Sequence, residues 1–345
     1  MRARGLDALL VTNLPNVRYL TGFTGSHGLC LITPRRAVFV TDTRYQIQSR
    51  DEVRPPYRRL ITRSGLLETI ARAGLLDRHR RVGFESGHVT VAQHRNLRRL
   101  FPGASLRPLA ELVENLTAVK DSSEIRSMAK AAAITDAAFA EILSEIRPGV
   151  REREIAARIS YLQRCAGAGG DAFDVIVASG PRAALPHARA TDRKIRAGDL
   201  VILDFGCTVD GYCSDLTRTV AVGRASRRAR EVHRAVLEAQ AAGVAGARAG
   251  ISAAVLDRIA RVRIEEAGYG PYFNHSLGHG LGLSLHARPR ISSLSTERLR
   301  EGMVVTIEPG IYIPGWGGVR IEDDIVIRAG ACRVLTHSPR ELIIL

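Results

Sequence analysis

The first hundred residues alternate between short apolar runs, typical of β-strands, and segments with a helical period. The strand-like runs are DALLV, GLCLIT, AVFVTD, RRLIT and RVGFES. Helical patterns begin at Arg44 and near Leu66, and a third covers 89–100. Such alternation indicates an α/β domain. The strand-like pattern stops within 111–120, so we predict an amino-terminal α/β domain over residues 1–115.

A different pattern begins at Asp121. The stretch DSSEIRSMAKAAAITDAAFAEILSEI starts with capping residues and a first-turn acid, keeps a helical period, and stops at Pro148-Gly149. A second helix is predicted over 151–166, and strand patterns follow. We therefore predict a second domain, of the α+β class, over residues 121–345.

This second domain contains an internal repeat. RAGDLVILDFG (196–206) aligns without a gap with REGMVVTIEPG (300–310), which places Asp204 on Glu308. Further along, Asp215 corresponds to Glu322. Upstream, PGVREREIAARI resembles AGISAAVLDRIA, and LPHARA resembles SLHARP. We predict two related halves, each with two helices, a histidine-bearing segment and a hairpin that carries two acids, packed about a pseudo-twofold axis.

The first hairpin shows why the acids matter. Asp210-Gly211 is a strong signal for a two-residue type I′ turn. Counting outward from the turn places Asp204 opposite Thr217, and side-chain alternation puts Asp215 on the same face. Diagonal neighbours lie roughly 7–8 Å apart, so the two carboxylates can converge on one cation, which would relieve their repulsion. The alternative for this stretch alone is a solvated hairpin with two surface acids.

A glycine-rich segment supplies histidines. NHSLGHGLGLSLHARP (274–289) holds His275, His279 and His286, and its glycines favour extended or turning backbone rather than helix. One histidine beside four carboxylates makes an oxygen-rich set suited to two divalent ions such as Mn, Co, Fe or Zn. The remaining histidines singled out are expected to be ordinary core or surface residues: His88, His94, His233 and His337.

Composition and cysteine usage indicate where in the cell the protein works. The chain has 345 residues with 45% apolar content, and no apolar run reaches the roughly 18 residues that a membrane span needs. Its five cysteines are odd in number and scattered, which favours reduced thiols, and we predict a cytoplasmic protein.

The formal charge of +15 raises the question of nucleic acid. The basic residues are almost all arginine, and the densest run, RASRRAR, opens a predicted helix without interleaved aromatic residues. We interpret this charge as a composition bias and predict no specific nucleic-acid or membrane partner.

At this point the motifs resemble a known family. LDFG, SDLTRT, LGHGLG, TIEPGIY and GVRIEDD resemble the metallopeptidases of the creatinase-like pita-bread fold, above all the bacterial Xaa-Pro peptidases of the aminopeptidase P and prolidase group. NVRYLTGFTGS and VFVTDTRY resemble the family's amino-terminal domain, and LTHSPRELIIL resembles its carboxyl-terminal strand. The sequence departs from the family at Ala287, where an acid is common, and in the short loop 312–318.

The resemblance implies roles for individual residues. It implies two bridged metal ions, manganese first and Co, Zn or Fe as alternatives, with Asp204 on one ion, His279 on the other, and three linking acids, Asp215, Glu308 and Glu322. It implies substrate-side roles for His187, His275 and His286, and an outer-shell role for Arg320. It also implies a homodimer, for which TDTRY (41–45), a strand end without an obvious local partner, gives a second motive.

The implied chemistry is peptide hydrolysis. Glu308 is the expected proton acceptor for the attacking water, and His286 or His187 the expected donor to the developing oxyanion. We expect an Xaa-Pro aminopeptidase acting on short proline-containing peptides, with an Xaa-Pro dipeptidase as the alternative. A catalytically silent peptide-binding protein on the same fold is a more distant alternative.

Overall fold

In a computed structural model that describes residues 1–78 and 80–345, the chain divides into two units, Met1–Thr117 and Ala118–Leu345. The first unit is a mixed six-stranded sheet in the order β4-β3-β2-β1-β5-β6. Its strands are β1 (Ala8–Val11), β2 (Gly28–Ile32), β3 (Ala37–Asp42), β4 (Tyr57–Thr62), β5 (Arg81–Glu85) and β6 (Ser105–Leu109). Its helices are α1 (Leu14–Thr21), α2 (Gln46–Glu52), α3 (Leu66–Arg72), α4 (Val91–Leu100) and α5 (Glu114–Thr117).

This sheet is covered on both faces because successive strand residues point to opposite sides. Ala8 and Leu10 of β1 belong to one apolar cluster, whereas Leu9 and Val11 belong to another. The α/β class predicted for the first part of the chain is confirmed.

The TDTRY segment does have local partners. The Tyr45 hydroxyl lies 2.6 Å from Ser26 Oγ, and Asp42 accepts a hydrogen bond from the guanidinium of Arg44 and lies 2.7 Å from Nδ1 of His27. These contacts contradict the sequence-based view that the segment lacks a partner, so they remove that motive for a homodimer.

The second unit contains four long helices. They are α6 (Ser122–Ile142), α7 (Glu152–Cys165), α8 (Arg227–Gly246) and α9 (Ala253–Glu266). Asp121 caps α6 as predicted. Its carboxylate accepts hydrogen bonds from the N–H groups of Ser123 and Glu124, and the Glu124 carboxylate accepts one from the Asp121 N–H.

Strands of the second unit fall into two groups that follow the repeat. The first group is β7 (Gly170–Asp171), β8 (Ile176–Ser179), β9 (Leu200–Phe205), β10 (Cys207–Val209), β11 (Tyr212–Cys213) and β12 (Leu216–Ala221). The second is β13 (Gly278–Gly280), β14 (Ala287–Ile291), β15 (Val304–Ile307), β16 (Gly310–Ile313), β17 (Gly317–Arg320), β18 (Asp323–Ile327) and β19 (Cys332–Val334). Each group follows two helices, so the predicted organisation into two related halves is confirmed.

The end of the chain differs from the sequence-based expectation of a strand. Residues 335–345 make a single parallel bridge, between Ile344 and Ala221. Pro339 lacks a backbone N–H, and the chain bends at Ser338 and Glu341, so most of this segment lacks the backbone pairing that a strand would need. Among the described helices, none combines the length and the apolar character that a membrane span requires.

Candidate metal centre

The first hairpin brings two acids into the interior. Asp210 and Gly211 both have positive φ angles, 51° and 78°, as a type I′ turn requires. The strands β9 and β12 pair with Asp204 opposite Thr217, in the predicted register. Asp204 is 7% exposed and Asp215 is 4% exposed, so the alternative of two solvated surface acids is wrong.

The second half brings two more acids to the same place. Glu308 follows β15, and its N–H donates to the Leu277 carbonyl at 2.8 Å. Glu322 precedes β18, and its N–H donates to the Thr217 carbonyl at 3.1 Å. Thr217 also donates its hydroxyl to Glu322 Oε2 at 2.6 Å. One residue of the first hairpin therefore fixes an acid of the second half.

His279 lies in the middle of β13, where the flanking glycines allow close packing. A Cβ on Gly278 would stand 2.1 Å from the Thr306 carbonyl oxygen, and one on Gly280 would stand 2.0 Å from that of Arg288. The Nδ1 atom of His279 faces the Gly280 carbonyl at 3.1 Å. Because a carbonyl only accepts, Nδ1 carries the proton and Nε2 keeps a lone pair.

That lone pair points at carboxylates. Nε2 of His279 lies 3.7 Å from Asp215 Oδ2 and 3.5 Å from Glu308 Oε1. Asp215, His279 and Glu322 each offer a potential ligand atom, and these atoms lie within 4.8 Å of one another. A neutral imidazole lone pair facing anionic oxygens is unfavourable unless a cation lies between them.

Several buried oxygens in this region have no hydrogen-bond partner among the described residues. They are Asp204 Oδ1, Asp215 Oδ1, Glu322 Oε1 and Asp324 Oδ1. A buried carboxylate oxygen without a partner is costly, and such oxygens are ordinarily satisfied by hydrogen bonds or by metal ions. The donor set, which is oxygen-rich with one imidazole, fits divalent cations of the Mn, Co, Fe or Zn type.

The close packing of these acids and of His279 also shifts their pKa values. Burial, followed by the charges of neighbouring acids, raises the pKa of Asp215 and of Glu322 well above their usual values. Burial also raises the pKa of Glu308 to about 7 and lowers the pKa of His279 to about 4. The protein therefore places several carboxyl groups where burial and mutual repulsion disfavour their charged form, and a bound cation would offset both effects.

Arg320 connects the acids to a tyrosine that the sequence reasoning missed. Its guanidinium is buried, binds Asp204 Oδ2, and donates to the Tyr312 hydroxyl at 2.6 Å. The Tyr312 hydroxyl lies 3.1 Å from Nε2 of His275, whose Nδ1 faces the Ser276 carbonyl at 2.8 Å. His275 Nδ1 therefore holds the proton, and Tyr312 donates to Nε2. The IY pair in TIEPGIY was the only sequence signal for this tyrosine.

A cavity of about 410 Å³ opens onto these groups. The described residues that line it are Phe173, Ile176, Pro186, His187, Asp204, Asp215, His275, Ser276, His279, Leu285, His286, Ala287, Arg290, Glu308, Arg320 and Glu322. All nine site residues predicted from the sequence, Arg320 among them, therefore line one cavity. His286 is close to the centre, with its ring centroid 4.4 Å from that of His279.

The short loop at 312–318 does not form this cavity. Tyr312 and Gly318 face each other in the tight β16–β17 hairpin, and Trp316 packs under the guanidinium of Arg228, whose central carbon is 4.8 Å from the ring centroid. None of the described residues that line the cavity lies within 312–318, so the length of this loop does not shape the described wall of the cavity.

Two comparisons with family models cover nearly the whole chain. A model described as metallopeptidase family M24 matches residues 126–329, and one described as the creatinase/prolidase N-terminal domain matches residues 1–119. The first match alone spans more than half of the chain. This chain belongs to metallopeptidase family M24.

Relatives in family M24 are similar over their full length. The chain is 46% identical over 342 residues to the uncharacterized peptidase YqhT of Bacillus subtilis (99% of this chain, 96% of that protein). It is 40% identical over 345 residues to a Xaa-Pro dipeptidase of Pyrococcus horikoshii (99% and 96%).

Solved structures of similar chains carry both names that the sequence left open. A Xaa-Pro dipeptidase from Bacillus anthracis is 44% identical with a TM-score of 0.97, covering 100% of this chain and 96% of that one. An X-Pro aminopeptidase from Thermotoga maritima is 38% identical with a TM-score of 0.92, covering 100% and 99%. This M24 chain therefore has the pita-bread fold and is a metal-dependent peptidase.

Two further residues of this M24 site escaped the sequence reasoning. Arg290 lines the cavity, and none of the described carboxylates forms an ion pair with its guanidinium. Asp324, the second aspartate of GVRIEDD, is 1% exposed and accepts the Asp215 N–H at 2.9 Å. The doubled acid in EDD was a visible signal for Asp324, whereas Arg290 is one of many arginines and had none.

Proposed function

We propose that this chain hydrolyses the peptide bond that precedes proline in short peptides, as a dinuclear metallopeptidase whose catalytic domain is 121–345. The observation that carries the proposal is the set of buried carboxylate oxygens without a partner, beside the lone pair of His279, at the floor of one cavity. The relatives named Xaa-Pro dipeptidase and X-Pro aminopeptidase support the preference for proline.

The proposed ligand set is Asp204, Asp215, His279, Glu308 and Glu322. Four carboxylates and one neutral imidazole balance the charge of two divalent ions, and we propose manganese first, with Co, Zn or Fe as alternatives. When bound, these ions supply Lewis acidity, which lowers the pKa of a coordinated water molecule and polarises the scissile carbonyl.

The protein side chains have separate tasks in this proposal. Glu308 lies at the floor of the cavity and can accept a proton from water and return it to the leaving nitrogen. His286 and His187 line the cavity and can donate to the oxyanion. His275 stays neutral because burial lowers its pKa to about 3, and with both ring nitrogens hydrogen-bonded, to Ser276 and to Tyr312, it can pack against the substrate without adding charge.

Arg290 bears on the choice between dipeptidase and aminopeptidase. A dipeptidase must hold the free carboxylate that follows proline, and a guanidinium matches a carboxylate in a bidentate fork. Arg320 is already held by Asp204, Thr217 and Tyr312, whereas Arg290 lines the same cavity with its side chain exposed. This contact geometry favours the dipeptidase alternative over the aminopeptidase expectation drawn from the sequence.

The deciding experiment compares Ala-Pro, Ala-Pro-Ala and Ala-Ala-Ala under matched Mn or Co loading. We expect cleavage of Ala-Pro with the highest kcat/KM. Cleavage of Ala-Pro-Ala alone would restore the aminopeptidase assignment. Preference for Ala-Ala-Ala would contradict the proline assignment itself.

A substitution of Arg290 tests the carboxylate contact. Arg290→Ala should raise KM for Ala-Pro by about tenfold or more, because a charge-assisted hydrogen bond contributes about 1.5–3 kcal/mol, and should leave Ala-Pro amide nearly unchanged. Arg333→Ala, at an exposed position on β19, is the matched control. An equal effect on the acid and the amide would remove Arg290 from this role.

We also propose a homodimer, on the family resemblance alone, and a cytoplasmic location. Light scattering tests the first proposal, and a fully active monomer would refute it. The second is supported by five free thiols, of which Cys30, Cys207 and Cys213 are buried.

A further inference from the structure

The segment that carries His275 has little regular structure of its own. Residues 273–277 connect a short 3₁₀ turn, Gly270–Tyr272, to strand β13. His275 and Ser276 line the catalytic cavity and also a neighbouring cavity of about 660 Å³. Phe273 and Leu277 at its ends are buried in the apolar core, whereas the polar residues between them face the cavities, so their backbone depends on hydrogen bonds from neighbouring elements.

Two residues of helix α9 provide the missing contacts. Arg261 donates from Nη1 to the Phe273 carbonyl at 2.9 Å and from Nη2 to the His275 carbonyl at 2.8 Å. Asp257 accepts the Leu277 N–H on Oδ1 at 3.0 Å. The guanidinium carbon of Arg261 also lies 4.1 Å from the centroid of the Phe273 ring. The pair therefore holds both ends and the middle of the segment.

The two side chains also hold each other. Arg261 donates to both oxygens of Asp257, from Nε at 2.8 Å and from Nη2 at 2.9 Å. Asp257 is fully buried, and the Arg261 side chain is 19% exposed. A bidentate guanidinium–carboxylate pair fixes the plane of the guanidinium, so its remaining donors point in set directions.

The segment transmits its position to the site at two points. His275 presents Nε2 to the Tyr312 hydroxyl at 3.1 Å, and the Leu277 carbonyl accepts the Glu308 N–H at 2.8 Å. A shift of the segment would move the imidazole in the cavity wall and the backbone of an acid at its floor.

We infer that Asp257 and Arg261 form a positioning clamp that sets His275 for substrate binding. Neither residue touches the reacting atoms; the pair acts through the backbone of 273–277. The inference rests on the proposed peptidase function insofar as His275 contacts substrate. It is distinct from a general stabilising role, because it predicts an effect on KM that depends on His275.

The chain offers a matched control on the same helix. Arg258 pairs with Glu265 at 2.6 Å, is exposed, and makes none of the described hydrogen bonds to 273–277. Lysine keeps the charge at either position, but at 261 it loses the planar fork that reaches the Phe273 and His275 carbonyls at once.

The first measurement is the kinetics of Ala-Pro hydrolysis. Arg261→Lys should raise KM by about tenfold and should change kcat by a smaller factor, since the lost contacts are charge-assisted hydrogen bonds to the binding segment. Arg258→Lys should leave both parameters unchanged. Metal content, measured in the same preparations, should be equal. A KM for Arg261→Lys equal to that of Arg258→Lys would overturn the clamp.

A double-mutant cycle separates positioning from packing. In a His275→Ala background, Arg261→Lys should have little further effect on KM, because the group that the clamp positions is gone. If the two substitutions act additively, the clamp does not work through His275, and the inference is wrong.

Hydrogen exchange tests the clamp without any activity. In Arg261→Lys, the Leu277 amide should exchange faster than in the wild-type chain, whereas in Arg258→Lys it should not. If the wild-type protein fails to cleave Ala-Pro, the proposed function fails, but this measurement still decides whether the clamp exists. Unchanged protection in Arg261→Lys would refute it.

Discussion

Thr217 shows how one small side chain shapes a buried anionic site. It occupies the position opposite Asp204, donates its hydroxyl to Glu322, and receives a hydrogen bond at its own oxygen from Arg320. By satisfying Oε2 of Glu322, it leaves Oε1 as the oxygen without a partner. Single residues of this kind decide which carboxylate atoms face the cation.

Glu308 is the residue whose substitution most directly tests the chemistry. Glu308→Gln keeps the shape of the side chain but cannot accept a proton, so kcat for Ala-Pro should fall by about 10²–10⁴-fold. Metal content must be measured in the same sample, because the amide also binds cations less well. Glu301→Gln, at a surface acid 57% exposed, should leave kcat unchanged. A near-normal rate with full metal content would exclude Glu308 as the proton acceptor.

Strand β13 is the element on which His279 depends. Gly280 in this strand lies against the backbone of β14, and a Cβ there would overlap the Arg288 carbonyl at 2.0 Å. Extended backbone on two sides leaves no room for relaxation by a side-chain rotation. The glycines of LGHGLG therefore serve close packing of the strand that presents His279.

Gly280→Ala should accordingly lower the free energy of unfolding by about 1–3 kcal/mol through overpacking, and should reduce metal content by displacing His279. Chemical denaturation and metal analysis provide the two measurements. Gly330→Ala, where a Cβ would meet no atom within 4 Å, is the control. If both variants were equally stable, the close approach at Gly280 would be unimportant.

Helix α8 contributes a pH-dependent term to stability. His233 on this helix is 3% exposed, its Nε2 has no partner among the described residues, and burial lowers its pKa from 6.5 to about 4. Between these two values the unfolded chain binds more protons than the folded chain. Its contribution to stability is therefore fully present above about pH 6.5 and is lost as the pH falls towards 4.

From this linkage we expect His233 to account for about 3 kcal/mol of stability lost between pH 6.5 and 4, at 1.36 kcal/mol per pKa unit. Denaturation curves of the wild type and of His233→Leu over this range measure the difference. The variant should show the flatter pH dependence, and His337→Leu, at an exposed position, should match the wild type. Parallel curves for His233→Leu and the wild type would contradict the expectation.

At the scale of the whole molecule, the two halves of the second unit meet at the acids. Strand β12 belongs to one sheet, and strands β15 and β18 belong to another. The backbone bridge between Thr217 and Glu322 joins these two sheets. Ion binding at this junction should stabilise the fold, because the carboxylates that it neutralises come from both halves.

Removal and restoration of metal tests that coupling. A chelator should abolish activity and lower the unfolding midpoint, and Mn added to 100 times its Kd should restore about 2.7 kcal/mol per site. Asp215→Asn should lose this response, whereas Asp210→Asn, in the hairpin turn of the same strand pair, should keep it. Full activity with one tightly bound ion per chain would rule out the two-metal proposal.

Much of the element pattern was determined by the sequence alone. The strand and helix order, the Asp121 cap, the type I′ turn and the β9–β12 register follow from local rules: side-chain alternation, capping chemistry and turn preference. The internal repeat also related the four acids to one another, and the glycine-rich segment and the family resemblance pointed to His279. These features depend on neighbours in sequence, so a linear pattern can encode them.

Only the tertiary structure decided which groups surround the acids. In the structure, Arg290 lines the cavity, and the Tyr312 hydroxyl is hydrogen-bonded to Arg320 and to His275. The TDTRY segment forms hydrogen bonds with nearby residues of its own unit. The clamp from Asp257 and Arg261 to 273–277 was equally invisible in the sequence. Contacts of this kind join residues far apart in the chain, and their strength depends on burial and orientation, which no local pattern of residue types specifies.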